Sequence, residues 1–221
     1  MRAARRLAER LGISPDARIR LEKRIPAGAG LGAGSSDAAA ALLLLSRLWE
    51  SRLSEEELLA LAAELGSDVP FFLVGGEADV GGRGERVTPR GDGPPADLLL
   101  LVPPFPLSTR EVYAAHRRLH PAGRPLPERL EIETSGEFFG PNDLASAVLE
   151  TRVEMRSFLE SAAQAAPEFA ISGSGSTVVL RGAGADAARR LRERHPGARA
   201  LASRTLSREE HRRRIVSSGG S

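Results

Sequence analysis

A glycine-rich segment near the start of the chain has the residue types of a phosphate site. Residues 25–37 read Ile-Pro-Ala-Gly-Ala-Gly-Leu-Gly-Ala-Gly-Ser-Ser-Asp and lead into an Ala- and Leu-rich run over 38–45. Glycines let backbone N–H groups approach a ligand closely, and the first N–H groups of a helix have no partner of their own. The helix dipole adds positive potential at that end. The residues predicted to hold a phosphate chain are Pro26, Ala27, Gly28, Ala29, Gly30, Leu31, Gly32, Ala33, Gly34, Ser35 and Ser36.

This segment does not fit the two common glycine motifs of nucleotide sites. A P-loop ends in Gly-Lys followed by Ser or Thr, whereas no lysine follows this segment anywhere in the chain. The dinucleotide fingerprint spaces its glycines differently and needs an acidic residue at the end of the next strand. A purely structural glycine turn is the plain alternative, although it would need neither so many glycines nor the two serines.

Asp68 and Tyr113 have side chains suited to chemistry but also have ordinary structural interpretations. Asp68 lies in Gly-Ser-Asp-Val-Pro (66–70), where it fits the N-cap of a helix that begins beside Pro70. Tyr113 is the only tyrosine and fits a half-buried packing position on a helix. A second loop of small residues, Ser-Gly-Ser-Gly-Ser-Thr (172–177), offers further backbone N–H groups.

Hydrophobic periodicity and capping signals predict a mixture of helices and strands around these segments. Gly12 is expected to end the first helix, and Ser54 with Glu57 forms a predicted capping box. The predicted helices cover residues 1–12, 36–49, 55–65, 109–119, 142–150, 154–165 and 186–194. The predicted strands are Arg18–Arg24, a pair over 78–87, 98–102 and 178–180, with a linker at 91–95 and a loop over 121–135.

The composition predicts an ordinary globular protein of the cytoplasm. The length of 221 residues suits one large or two small domains, and 41% hydrophobic with 27% charged residues is typical of soluble proteins. Cysteine is absent, which excludes disulfides and cysteine-based metal sites. No apolar run reaches the ~18–20 residues of a membrane span, so we expect no membrane partner.

The charged residues do not point to nucleic acid. The net charge is only +2, nearly all the basic residues are arginines, and Lys23 is the only lysine. A nucleic-acid surface would cluster basic residues with aromatic ones. The one dense basic run, residues 211–214, lies in a C-terminal tail that we expect to be frayed. The four histidines, at 116, 120, 195 and 211, are scattered and predict no metal site.

Residues 25–39 resemble the central phosphate-binding motif of the GHMP kinases, which act on galactose, homoserine, mevalonate and related small alcohols. Further segments agree in the same order: 65–72, 108–113, Asn142–Leu144 and 172–177. The resemblance implies an α+β, two-lobed GHMP-kinase fold with a ferredoxin-like C-terminal lobe. The implied domains are an ATP-binding N-terminal domain over 1–93, a C-terminal domain over 94–215 and a flexible tail over 216–221.

The resemblance also implies an activity and a role for each motif residue. ATP would be the phosphoryl donor, with Mg²⁺ bridging its phosphates and Ser36 as a candidate Mg²⁺ contact. Asp68 would be the catalytic carboxylate. The acceptor would be the 2-hydroxyl of a cytidine diphosphate sugar-alcohol in non-mevalonate isoprenoid biosynthesis, with Tyr113 stacked on the cytosine. The residues implied to bind that substrate are Thr109, Tyr113, Gly173, Ser174 and Gly175. The alternatives are another small-molecule kinase of this family, or a nucleotide-binding fragment without activity.

The sequence departs from the family pattern at its beginning. The family's opening strand, with its lysine and asparagine, and the substrate-binding segment that follows it have no counterpart before residue 12. We therefore expect an incomplete N-terminal lobe, owing to a misassigned start or a truncation. Lys23 matches a lysine of the strand before the glycine segment and is not predicted to be catalytic. Ala33 stands where the family usually has glycine.

Overall fold

The computed structural model describes residues 1–121, 134–135 and 138–217 and divides the chain into two compact units. The first unit comprises Met1–Lys23, Gly32–Pro95 and Leu206–Ser221, and the second comprises Arg24–Leu31 and Ala96–Thr205. Helices and an antiparallel sheet occur together, so the predicted α+β class is confirmed. Among the described residues, no helix has the length and apolar character needed to cross a membrane.

The first unit is mainly helical. Its elements are α1 (Arg2–Leu11), α2 (Ala33–Leu48), α3 (Glu55–Leu65), α4 (Val69–Val74), the hairpin strands β1 (Ala78–Gly81) and β2 (Arg86–Pro89), and the last helix, α9 (Arg208–Ser217). Its core packs Leu7 of α1 against Leu42 of α2 and Leu61 of α3, all nearly inaccessible to solvent. Burying such side chains contributes about 1.5–3 kcal/mol each. This core therefore fixes the direction in which α2 begins.

Two predicted capping signals of this unit are confirmed. Gly12 adopts the left-handed conformation, with φ of 68°, directly after α1. The hydroxyl of Ser54 accepts a hydrogen bond from the backbone N–H of Glu57, and the Glu57 carboxylate accepts one from the N–H of Ser54. The hydrogen bond from the backbone N–H of Ser54 lowers the pKa of Glu57, because it favours the charged carboxylate.

The predicted strand over Arg18–Arg24 is wrong. Residues 14–26 belong to no helix or strand, and the side chains of Ile19 and Leu21 are 43% and 58% exposed. The alternation of apolar and charged residues is present, but a strand also needs a hydrogen-bonded neighbour. No described residue pairs with this segment in a ladder.

We expected the C-terminal tail to be frayed, but the described part of it is helical. Residues 211–214 lie within α9, and residues 216 and 217 of the predicted flexible tail complete that helix, whereas 218–221 lie outside the described residues. The carboxylate of Asp92 accepts hydrogen bonds from the N–H groups of Arg208 (2.6 Å) and Glu77 (3.0 Å), and these bonds lower its pKa. This anchor at the start of α9 places the helix in the first unit, although the sequence suggested the second domain.

The second unit is a five-stranded antiparallel sheet with helices packed on it. Its strands lie in the order β4-β5-β6-β3-β7. Those strands are β3 (Asp97–Val102), β4 (Thr134–Ser135), β5 (Glu168–Ile171), β6 (Val178–Arg181) and β7 (Arg199–Arg204). The helices are α5 (Thr109–Leu119), α6 (Ala145–Thr151), α7 (Met155–Ala165) and α8 (Ala185–Arg194).

One face of this sheet forms the core of the second unit. Leu99 and Leu101 of β3 are buried in one cluster with Phe158 and Leu159 of α7, whereas Leu98 and Leu100 are only partly buried. This period of two is that of a strand with one face covered by helices. The loop predicted over 121–135 lies mostly outside the described residues, but Thr134 and Ser135 pair with β5 as a short strand.

Candidate functional site

In the first unit, the end of the glycine segment forms the start of α2. The helix begins at Ala33, three residues earlier than predicted, and its N-cap is Gly32, with φ of 61° and no side-chain cap. The N–H of Ser36 is the first to reach a helical acceptor, the carbonyl of Gly32 at 2.9 Å. The three preceding N–H groups therefore have no acceptor within the helix, which is the arrangement of an anion site.

Space around this helix start suits a ligand. A Cβ added to Gly34 would meet no atom within 4 Å, and Gly34 itself is exposed. By contrast, a Cβ on Gly32 would lie 2.7 Å from the ring of Phe72 in α4. Gly32 is therefore required by packing within the unit, whereas Gly34 keeps the helix start open.

Lys23, which we do not predict to be catalytic, forms an ion pair with Asp37. Its ammonium lies 2.5 Å from the carboxylate of Asp37, one turn into α2, with both side chains about a third or more exposed. A negative charge near the start of a helix opposes anion binding there, and pairing reduces that field. Lys23 thus offsets the one carboxylate in the first turns of α2.

Asp68 occupies the N-cap position of α4, as one of its two interpretations suggested. Its side chain nevertheless makes no capping hydrogen bond, and the residue is exposed. Its backbone is in the right-handed helical region (φ −87°, ψ −9°), whereas a capping side chain usually needs extended backbone. The carboxylate is therefore not used by its helix and can interact with another molecule.

In the second unit, the beginning of the glycine segment packs on the second small-residue loop. The Ser172 hydroxyl donates to the carbonyl of Gly30 (2.9 Å), and the N–H of Thr177 donates to that of Ala29 (3.1 Å). Gly30 has φ of 75°, and a Cβ there would lie 2.4 Å from the carbonyl oxygen of Gly175. Only glycine permits this approach of two backbones.

The predicted substrate residues of the second unit also come together. The hydroxyl oxygens of Thr109, at the start of α5, and Ser174 lie 3.0 Å apart. Tyr113 is one turn further along α5 on the same face as Thr109, and 47% of it is exposed. Gly173 and Gly175, with φ of 54° and 76°, place Ser174 between two left-handed residues. About half of the residue is thus covered, so both interpretations of Tyr113, a packing residue and a stacking surface, stay open.

Two residues that hold this loop were not among the predicted site residues. The amide of Asn142 donates to the carbonyl oxygens of Gly173 (2.8 Å) and Ile171 (3.1 Å), while its own oxygen accepts from the N–H of Leu144 (3.0 Å). Ser172 joins the loop to Gly30. Asn142 lies in a segment that carried the family resemblance, but spacing alone could not reveal which carbonyls it contacts.

The predicted site contains one candidate metal contact, Ser36. The described residues contain no group of three or more His, Cys, Asp or Glu placed to hold a metal ion. Ser36, the candidate Mg²⁺ contact, lines a cavity of about 210 Å³ within the first unit. The other residues of that cavity are Ala40, Leu44, Phe72, His211, Arg214 and Ile215. No carboxylate joins Ser36 there, so its role remains a prediction.

Comparisons with known proteins support the family that the sequence resembles, the GHMP kinases. The model of the GHMP kinases N terminal domain matches residues 1–76. A protein of Aromatoleum aromaticum named 4-diphosphocytidyl-2-C-methyl-D-erythritol kinase is 38% identical over 197 residues, covering 89% of this chain and 67% of that protein. One of Rhodospirillum rubrum with the same name is 50% identical over 128 residues, covering 58% of this chain and 42% of that protein.

A solved structure matches the fold over most of the chain. The crystal structure of 4-(cytidine 5'-diphospho)-2C-methyl-D-erythritol kinase has a TM-score of 0.68 and 32% identity, covering 92% of this chain and 77% of that one. The matched region spans about two fifths to two thirds of the length of the two curated relatives described above. The resemblance seen in the sequence is confirmed, and the chain belongs to the GHMP kinase family.

Proposed function

We propose that this protein transfers the γ-phosphoryl group of ATP to the 2-hydroxyl of 4-diphosphocytidyl-2-C-methyl-D-erythritol, a step of non-mevalonate isoprenoid biosynthesis. The names of the relatives motivate the choice of acceptor. The observation that carries the proposal is the uncapped start of α2, where three backbone N–H groups precede the first helical hydrogen bond. Such a helix start stabilises the negative charge of a phosphate chain.

The acceptor side of the proposal rests on the second unit. The exposed ring of Tyr113 offers a flat apolar face for the cytosine base, since aromatic rings stack on bases regardless of hydrogen-bond pattern. Thr109 and Ser174 lie 3.0 Å apart and offer two hydroxyls for polar groups of the same substrate. Gly173 and Gly175 are predicted to offer backbone N–H groups to the substrate, and the loop they belong to lies close to the backbone of Gly30.

The chemical step needs positioning and one proton acceptor. The oxygen of the acceptor hydroxyl forms a bond to the γ-phosphorus, and the bond from that phosphorus to the β,γ-bridging oxygen breaks, which releases ADP. The Asp68 carboxylate, which makes no capping hydrogen bond, accepts the hydroxyl proton. The Ser36 hydroxyl is the side chain proposed to hold Mg²⁺ or a phosphate oxygen, and that ion, when bound with ATP, would neutralise charge at the phosphates.

The test is ADP release by the purified protein with ATP, Mg²⁺ and the cytidine substrate, compared with the Asp68→Asn variant. We expect the substitution to lower kcat about 10²–10⁴-fold, the usual contribution of a general base. Because Asp68 is exposed, the variant should unfold at the same urea concentration as the parent. Glu56→Gln, an equally exposed and isosteric change on α3, is the matched control and should keep its activity.

Three outcomes separate the alternatives. Turnover with homoserine or a mevalonate derivative, but not with the cytidine substrate, would assign another kinase of the family. ATP binding by calorimetry without turnover of any alcohol would indicate a nucleotide-binding protein without catalysis. Absence of ATP binding would contradict the proposal at its first step, because the α2 site would then have no nucleotide.

A further inference from the structure

Two histidines at the end of α5 lie side by side, although their sequence positions looked scattered. His116 and His120 are four residues apart, on the helix face that also carries the buried Val112. Their ring centroids are 4.5 Å apart, with 50° between the ring planes. His120 follows the last residue of α5, and its N–H donates to the carbonyl of His116 (2.8 Å), so this final hydrogen bond of the helix joins the two residues.

Three of the four ring nitrogens of this pair have no hydrogen-bond partner among the described residues. Nδ1 of His116 and both Nδ1 and Nε2 of His120 are buried and make no hydrogen bond there. A neutral imidazole carries one donor and one acceptor, and buried groups of this kind are nearly always bonded. Since each neutral ring has one unprotonated nitrogen, the two adjacent rings can together offer two lone pairs to one ligand.

The separation of the rings fits two imidazoles on one metal ion. A Zn–N bond of about 2.0–2.1 Å places the metal about 3.2 Å from each ring centroid. Nitrogen–metal–nitrogen angles of about 90–109° then put the two centroids about 4.5–5.2 Å apart. The observed 4.5 Å lies at the lower end of that range, so the spacing of the two rings is compatible with one shared ion.

We propose that His116 and His120 form a two-histidine site for a borderline transition-metal ion such as Zn²⁺ or Ni²⁺. Imidazole nitrogen suits these ions, whereas Mg²⁺ prefers oxygen ligands. The site lies at the C-terminal end of α5, where the helix dipole favours a cation. The described residues contain no group of three or more metal-ligating side chains, so the two histidines are the protein ligands that we assign to this site. The bound ion joins two positions one turn apart and so stabilises the last turn of the helix.

The test is calorimetric titration of the protein, without a purification tag, with ZnCl₂ and separately with NiCl₂. We expect one ion per chain, and at least a tenfold rise in Kd for both His116→Asn and His120→Asn. His195→Asn and His211→Asn are the matched controls, because each removes a histidine outside the pair, and they should bind as the parent does. Absence of binding, or an unchanged Kd in the two pair variants, overturns the proposal.

A second measurement covers the possibility that a variant does not fold. In the parent protein, Zn²⁺ should shift the side-chain nitrogen resonances of two histidines and leave those of the other two unchanged. A shift of all four or of none contradicts the site. Neither readout uses kinase activity, so the result is independent of the function proposed above.

Discussion

The hydroxyl of Ser172 donates a hydrogen bond of 2.9 Å to the carbonyl oxygen of Gly30, which lies 142 residues away in the sequence. This bond joins the two glycine-containing segments of the chain, residues 25–37 and 172–177. Its partner at Gly30 has a left-handed backbone that only glycine adopts readily. The backbone position of Gly30 in the first glycine segment therefore depends on the Ser172 side chain of the second segment.

Ser172→Ala should loosen this junction. Loss of one hydrogen bond lowers the free energy of unfolding by about 0.5–1.5 kcal/mol, because the carbonyl of Gly30 loses its side-chain partner. If the first segment binds ATP, the KM for ATP should also rise several-fold. Ser157→Ala is the matched control, since its hydroxyl also donates a 2.9 Å bond to a backbone carbonyl but lies on α7. Equal KM values for the two variants would contradict the argument.

Gly30→Ala and Gly34→Ala should have opposite consequences for folding. At Gly30 the added Cβ would lie 2.4 Å from a backbone oxygen, and the positive φ alone costs about 1–2 kcal/mol. At Gly34 the Cβ meets nothing, and alanine in a helix gains up to about 1 kcal/mol over glycine. Urea unfolding of the two variants measures the difference. A Gly34→Ala protein less stable than Gly30→Ala would refute this description of the segment.

The ends of two helices could be predicted from the sequence, because they depend on local capping signals. The capping box at Ser54 and the left-handed Gly12 were predicted correctly, since each uses residues within one turn. The strand β7 was not predicted, because only Ala200 of its six residues is buried and the sequence alternates weakly. It exists by pairing with β3 over its full length.

Long-range contacts explain the remaining differences. The segment over Arg18–Arg24 alternates as a strand should, but no described residue forms a ladder with it. The junction of Gly30 with Ser172 could not be deduced either, because hydrogen bonds between distant segments leave no periodicity in the sequence. The glycine motifs thus indicate which segments we predict to be functional, whereas their mutual contact required coordinates.

Tyr113→Ala should weaken binding of the cytidine substrate specifically. A stacked base contributes about 1–3 kcal/mol, so the KM for that substrate should rise about 5–150-fold while the KM for ATP stays unchanged. The side chain is 47% exposed, so the variant should keep its stability. Tyr113→Phe retains the ring and is the control that should retain most of the affinity. A similar rise of both KM values in Tyr113→Ala would show a general structural effect instead of stacking.

His195 should make the stability of the protein depend on pH near neutrality. Its ring stacks on Phe158, with centroids 4.0 Å apart, and its Nε2 lies 2.8 Å from the hydroxyl oxygen of Ser161. That hydroxyl donates its own hydrogen to the carbonyl of Ser157, so the hydrogen-bond network assigns the imidazole proton to Nε2. Burial lowers the pKa of His195, and the positive charge of Arg194 lowers it further.

The sign of the effect follows from the direction of that pKa shift. Near and below pH 6.5 the unfolded chain binds a proton at this histidine more readily than the folded protein does. The contribution of His195 to stability is therefore complete above that pH and is lost as the pH falls towards the lowered pKa. His195→Gln should reduce the loss of stability between pH 7.5 and 5.5, as measured by urea unfolding. Arg194→Gln removes only the smaller cause and should reduce it less, whereas a larger reduction in Arg194→Gln would assign the pKa shift to charge and not to burial.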